Sequence, residues 1–129
     1  MKVIIAGSRH MPSSAYPLIG QAIKASGFTV SEVVCGMAKG ADALGMSWAV
    51  VNKVQVKKFP ADWKTYHKGA GPIRNRQMRD YADALILFIW QNSRGSTNML
   101  LQMQQASKPA FVIPDGDMNK AFWCNPIKT

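Results

Sequence analysis

The stretch Ala70-Gly71-Pro72-Ile73-Arg74-Asn75-Arg76-Gln77-Met78 sets two arginines and an amide directly behind a Gly-Pro turn. Proline is tolerated in the first turn of a helix, where the amide it lacks would be unpaired anyway. The spacing predicts a helix over residues 73–81. Arg74 and Asn75 would then sit near its positive end, where orphan amides and the macrodipole favour an anion. A guanidinium fork matches phosphate or carboxylate bidentately, and asparagine both donates and accepts. The same residues also read as a solvated basic helix start, with no ligand. Met78 is the further candidate contact from this segment.

Three more turns carry residues of the same kind. In Gly7-Ser8-Arg9, glycine permits close backbone approach, serine can donate to a phosphate oxygen and arginine can clamp it. An ordinary strand-to-helix turn has the same composition. Gly36-Met37-Ala38-Lys39-Gly40-Ala41-Asp42 fits neither a Walker A loop nor GxGxxG. It still opens a helix, so Gly36, Lys39, Gly40 and Ala41 are candidates to face a phosphate. Asp42 is placed either to cap that helix or to hold a ribose hydroxyl or position a water. Ser93-Arg94-Gly95-Ser96-Thr97-Asn98 offers hydroxyls beside helix-start amides, with Ser93, Gly95, Ser96 and Thr97 as candidates. An N-cap is the parallel reading there. In the loop after residue 60, Trp63 or Tyr66 can stack on a base or pack the loop down. Asp80 and Asp83 suit capping or pairing with Arg76 or Arg79. Glu32 is the only glutamate, so a hydrolase needing a carboxylate base would have to use it or an aspartate.

The elements that must position these turns follow from the hydrophobic pattern. Residues 2–6 and 84–90 are short apolar runs of the kind buried on both faces of a sheet. Residues 28–35 and 109–113 have strand composition, and the alternation over 54–59 suits a strand nearer an edge. Helices are expected over about 12–25, 43–51, 73–81 and 96–106, with a long loop over 60–71. Strands alternating with helices predict a Rossmann-like three-layer α/β sandwich of about five mainly parallel strands. In such sheets ligands bind at the carboxyl ends of the strands, near the point where strand order reverses. The three glycine turns fall at those ends. The Arg74 segment lies outside that set and would fold over the same edge.

The 129 residues, 47% of them hydrophobic, suit a single domain over residues 1–129, with a tail from about residue 114. No apolar run approaches the roughly 20 residues of a membrane span. The N-terminus leaves no room for a signal peptide, so a soluble, cytoplasmic protein is expected. Cys35 and Cys124 form no CxxC motif, and free thiols are expected. His10 and His67 lack partners at metal-site spacing, so neither a metal nor another cofactor is expected. The net charge of +9 points to anionic partners, whether nucleotides or nucleic acid. Phe122 and Trp123 in the tail are expected to pack down on the body.

Taken together, Gly7-Ser8-Arg9, Gly36 to Asp42, Pro60-Ala61-Asp62-Trp63, Gly71 to Met78, Ala82-Asp83-Ala84 and Gly95-Ser96-Thr97 form an ordered set of motifs. The set resembles the SLOG superfamily, named from the Smf DNA-processing and Lonely Guy proteins, and within it the small YspA-like group. The resemblance runs from residue 3 to about residue 113. It implies a Rossmann-like fold and a nucleotide-derived ligand held by these loops. Lonely Guy enzymes cleave the N-glycosidic bond of a nucleoside monophosphate, using an arginine before a helix and a glutamate after a glycine-threonine turn. Arg74 matches that arginine. The glutamate position falls at Met99, or at Asn98 with a shift of one, and neither is a carboxylate. Cys35 stands where the family has the first glycine of a Gly-Gly pair.

The resemblance therefore implies first a protein that binds an ADP-ribose-like or other nucleotide-derived signal. Arg74 and Asp42 are the candidates for any catalytic role. A Lonely Guy-type N-glycosidic hydrolase of nucleotides or nucleosides is the second reading, with Asp42 or Asp83 as stand-in carboxylates. Single-stranded DNA binding is the third. Because the related enzymes are dimers, a homo-oligomer is expected.

Overall fold

The computed structural model describes residues 1–90 and 94–124. Six strands form one sheet: β1 (Lys2–Gly7), β2 (Glu32–Cys35), β3 (Gln55–Lys58), β4 (Ala84–Ile89), β5 (Ala110–Pro114) and β6 (Phe122–Cys124). Their order is β3-β2-β1-β4-β5-β6. All neighbours pair in parallel except β5 and β6. The helices are α1 (Pro17–Ser26), α2 (Ala41–Val51), α3 (Trp63–Tyr66), α4 (Ala70–Tyr81) and α5 (Arg94–Gln105).

The apolar runs form the centre of the sheet because both faces are covered. Val3, Ile5, Ile86 and Phe88 share one hydrophobic cluster with residues of α1 and α2. Ile4, Ala6, Leu85 and Leu87 share the other with Met78 of α4 and Met99 and Met103 of α5. β3 closes one edge, with Gln55, Lys57 and Lys58 exposed. The alternation over 54–59 thus does mark an edge strand. Trp48 and Trp90, apolar residues in core-forming runs, are only partly buried against the first cluster.

Strand order reverses between β1 and β4, and there the backbone of Gly7 lies against that of Phe88. A Cβ on Gly7 would lie 2.0 Å from the Phe88 carbonyl oxygen, so only glycine fits. On the same strand α2 presses in through Gly45, where a Cβ would stand 2.6 Å from Ile5 Cγ2.

Several boundaries differ from the sequence expectation. α4 starts at Ala70 instead of Ile73, because the first-turn amides are unpaired and proline at the third position breaks no bond. α5 starts at Arg94 instead of Ser96. The 60–71 loop contains α3, capped by the Asp62 side chain accepting from the Thr65 amide at 3.1 Å. The tail supplies a sixth, antiparallel strand. Trp123 packs edge-on against Phe28 at 5.3 Å between centroids, and against Phe111 at 5.0 Å.

Among the described residues no helix is long and apolar enough to cross a membrane, and no cluster of His, Cys, Asp or Glu could hold a metal ion. Cys35 and Cys124 are free thiols.

Candidate functional site

A cleft of about 510 Å³ opens at the carboxyl ends of β1 and β4. Its floor is the turn after β1. Ser8 is fully buried; its amide donates to the Phe88 carbonyl at 2.9 Å, and its hydroxyl oxygen accepts from the His10 amide at 3.1 Å. That turn projects the exposed Arg9 and His10 into the opening. The turn after β2 buttresses the turn after β1. Gly40 has φ 73°, and a Cβ there would meet Ser8 O at 2.2 Å; the Ala41 amide donates to the same oxygen at 3.1 Å. Gly40 and Ala41, expected to face a ligand, therefore hold one loop against another and do not line the cleft.

Asp42 is the second residue of α2 and is only 4% exposed. It does not cap that helix, because Gly40 occupies the cap position without a side-chain bond. Its Oδ2 instead accepts from the Ala38 amide at 3.3 Å. Burial raises the carboxyl above the ordinary carboxylate range; the Ala38 amide, Arg74, the Gly7 amide and Arg9 oppose that rise.

Arg74 enters from the opposite face of the sheet. As the fifth residue of α4 it lies beyond the terminal amides, so the helix end does not place an anion at its backbone. Its side chain brings it to the site. Nη1 donates to the Gly36 carbonyl, and Nε donates to Asn75 Oδ1 at 2.9 Å. A Cβ on Gly36 would lie 2.8 Å from both Arg74 Nη1 and Asp42 Oδ2. Glycine there thus lets guanidinium and carboxylate share one small volume. Burial lowers the Arg74 pKa, Asp42 raises it, and Arg9 lowers it further.

Asn75 is 5% exposed and its Nδ2 donates to Asn98 Oδ1 at 3.0 Å and to the Gly95 carbonyl at 3.4 Å. It thereby fixes the start of α5 relative to Arg74. Ser96 is the third residue of α5, so it is not an N-cap; it is buried and lines the cleft with Gly95. Thr97 lies outside the lining, and Ser93 lies outside the described residues. Met78 and Met99 form an apolar back wall, each 1% exposed.

An adjoining, more open hollow of about 520 Å³ is lined by Gly36, Lys39 and the loop carrying Pro60. Sequence reasoning did not single out His10, Lys68 or Asn98 as contacts, although they line the first cleft. Lys68 lies in a lysine-rich loop whose approach depends on how α3 docks. Tyr66 does not line either space, whereas Trp63 lines both.

Asp42 is the one carboxylate among the described lining residues, against Arg9, Lys68, Arg74 and Arg94. Glu32 is the first residue of β2, at the opposite end of the sheet, where it accepts from the Tyr81 hydroxyl. Asp80 pairs with Arg79 at 2.8 Å, and Asp83 accepts from the Lys2 amide at 2.8 Å, so neither serves the cleft. Cys35 is buried, which pushes its thiol up and away from a reactive thiolate.

The sequence profile of the YspA, cpYpsA-related SLOG family matches residues 1–66. No sequence among curated proteins matches significantly. Among solved structures, the DNA processing protein A (DprA) of Streptococcus pneumoniae superposes with a TM-score of 0.72 at 18% identity, over 92% of this chain and 52% of that one. This chain therefore spans about half the length of that protein, and the likeness is one of fold.

Proposed function

Because the chain belongs to the YspA, cpYpsA-related SLOG family, we propose that its cleft binds a nucleotide-derived small ligand, ADP-ribose-like or a nucleoside phosphate. In this reading the protein is a cytoplasmic sensor or sequestering protein. The observation that carries the reading is Arg74, tied to Gly36 and Asn75 at the point where strand order reverses, within a lining richer in cations than in carboxylates. A guanidinium held in that way presents its remaining donors to a phosphate without first having to be ordered. The Lonely Guy glutamate position, at Met99 or with a shift of one at Asn98, favours binding over hydrolysis, since neither side chain is a carboxylate.

The test is a titration of AMP and ADP-ribose into Arg74→Ala and Arg79→Ala. Both variants lose one positive charge, but Arg79 bonds Asp80 and Gln102 outside the cleft. A charge-assisted contact contributes roughly 1.5–3 kcal/mol, so Arg74→Ala should lose about tenfold or more in affinity. Arg79→Ala should lose little. Equal losses in two folded variants would mean that binding follows bulk charge. Free base released from AMP by the wild type would restore the hydrolase reading.

A second reading, single-stranded DNA binding, draws on the net charge of +9 and on the DNA-processing neighbour. DNA affinity falls steeply with salt as counterions are released. A measurement at two salt concentrations separates the two ligands. The protein is further proposed to form a homodimer or higher oligomer, supported by the exposed apolar surface of Phe122 and Trp123. Light scattering should return a multiple of the chain mass at micromolar concentration; a single-chain mass would overturn this.

A further inference from the structure

The turn after β2 holds two sulfur atoms together. Met37 has φ 65°, a left-handed conformation that suits glycine and strains a residue with a Cβ. Strain of this kind is kept where the surroundings fix it, and it gathers at functional positions. Here the Met37 amide donates to Cys35 Sγ at 3.4 Å, and the Cys35 thiol donates to Met37 Sδ at 3.9 Å. The two residues differ in access. Cys35 is fully buried, whereas Met37 is 42% exposed. Of the eight methionines, Met11, Met78, Met99 and Met103 are buried, and Met1, Met46 and Met118 are half-buried. Met37 alone is exposed, and it lines the open hollow with Arg9, Lys39 and Arg74.

We propose that Met37 is a modification site: hydrogen peroxide converts its thioether to the sulfoxide, and the sulfoxide weakens the binding of anions by the neighbouring cations. In the step, Sδ gives a lone pair to one peroxide oxygen. The S–O bond forms as the O–O bond breaks. The proton on the transferred oxygen passes to the departing hydroxide, and water leaves. Sulfur is oxidised and the peroxide is reduced by the same electron pair. A flexible apolar side chain thereby becomes a polar one with a strong acceptor oxygen. Burial pushes the Cys35 thiol up, so it keeps its proton and can donate to that oxygen. The oxygen also competes with a ligand's phosphate for Arg9, Lys39 and Arg74, which line the same hollow. Met78 and Met99, on the back wall of the cleft, are each 1% exposed and are shielded from the oxidant. The effect on affinity rests on the nucleotide reading above; the oxidation itself does not.

The experiment treats the folded protein with dilute hydrogen peroxide and maps its peptides by mass spectrometry over time. Met37 should gain one oxygen about tenfold faster than any other methionine, because susceptibility follows exposure. ADP-ribose should then bind the oxidised protein severalfold more weakly, and methionine sulfoxide reductase should restore the affinity. Met37→Leu keeps the apolar volume. It should bind ADP-ribose as the wild type does and keep that affinity after peroxide, which excludes damage elsewhere as the cause. Oxidation of Met46 or Met118 as fast as Met37 would overturn the site. Fast oxidation of Met37 with unchanged affinity would overturn its effect on binding and leave the nucleotide reading standing. If ADP-ribose binds neither form while Met37 still reacts first, the nucleotide reading falls with the effect on affinity, and the modification site stands.

Discussion

Gly40 and Gly95 both belong to glycine turns, yet they answer to different constraints. At Gly40 a methyl group would have to displace backbone atoms of Ser8 and Arg9 from a residue at positive φ. Gly40→Ala should therefore cost about 3 kcal/mol or more in chemical denaturation, from overpacking and left-handed strain together. Nothing lies within 4 Å of a Cβ on Gly95, in the first turn of α5. Gly95→Ala should stabilise by about 0.5–1 kcal/mol. Asp42 makes a third case. Its folded-state carboxyl titrates above the ordinary value of 3.8 because of burial. The folded protein thus holds a proton that the unfolded chain has released, and stability falls as pH rises from about that value through the raised one. Asp42→Asn should flatten that part of the curve, so the Asn variant gains on the wild type as pH climbs. A wild-type curve rising over the same window would contradict the sign. Glycine turns were legible in the sequence as turns. Which ones line the cleft was not, because Gly40 and Ala41 are occupied by a loop that is distant in the chain.

At the scale of elements, strands were legible wherever burial is two-sided, as in β1 and β4, because a continuous apolar run has no other placement in a short segment. Helix starts were less legible. The Gly71-Pro72 pair is compatible both with a turn before a helix and with a helix's own first turn, and the chain takes the second, starting α4 at Ala70. β6 had no period to announce it. It exists through Trp123, which reaches Phe28 and Phe111 from across the β5 edge. Two aromatic contacts of roughly 0.5–1.5 kcal/mol each set its hold. Trp123→Ala should accordingly lower stability by about 1–2 kcal/mol in urea. It should leave nucleotide titrations unchanged, since β4 and β5 separate β6 from the crevice.

On the whole molecule, the two ends of the strands carry different sets of charged residues. The amino ends carry Glu32 with Tyr81, and Lys2 lies 4.3 Å from the Tyr81 ring centroid. The carboxyl ends gather Arg9, Arg74 and Arg94 around Asp42. A ligand that binds only the folded state stabilises by mass action. At about a hundred times its dissociation constant the gain is about 2.7 kcal/mol, or several degrees in melting temperature. ADP-ribose should produce such a shift at low salt and keep most of it at high salt. An oligonucleotide should lose its shift as salt rises.

The tether on Arg74 also bears on kinetics. Two of its donors are committed to Gly36 and Asn75 before any ligand arrives, so the rotamer freedom of a long side chain is surrendered when the chain folds. No rearrangement of that guanidinium has to precede capture. On the proposed reading, encounter is governed by diffusion and by the long-range pull of the cationic rim, and stopped-flow titrations of different nucleotides should differ in how slowly they leave.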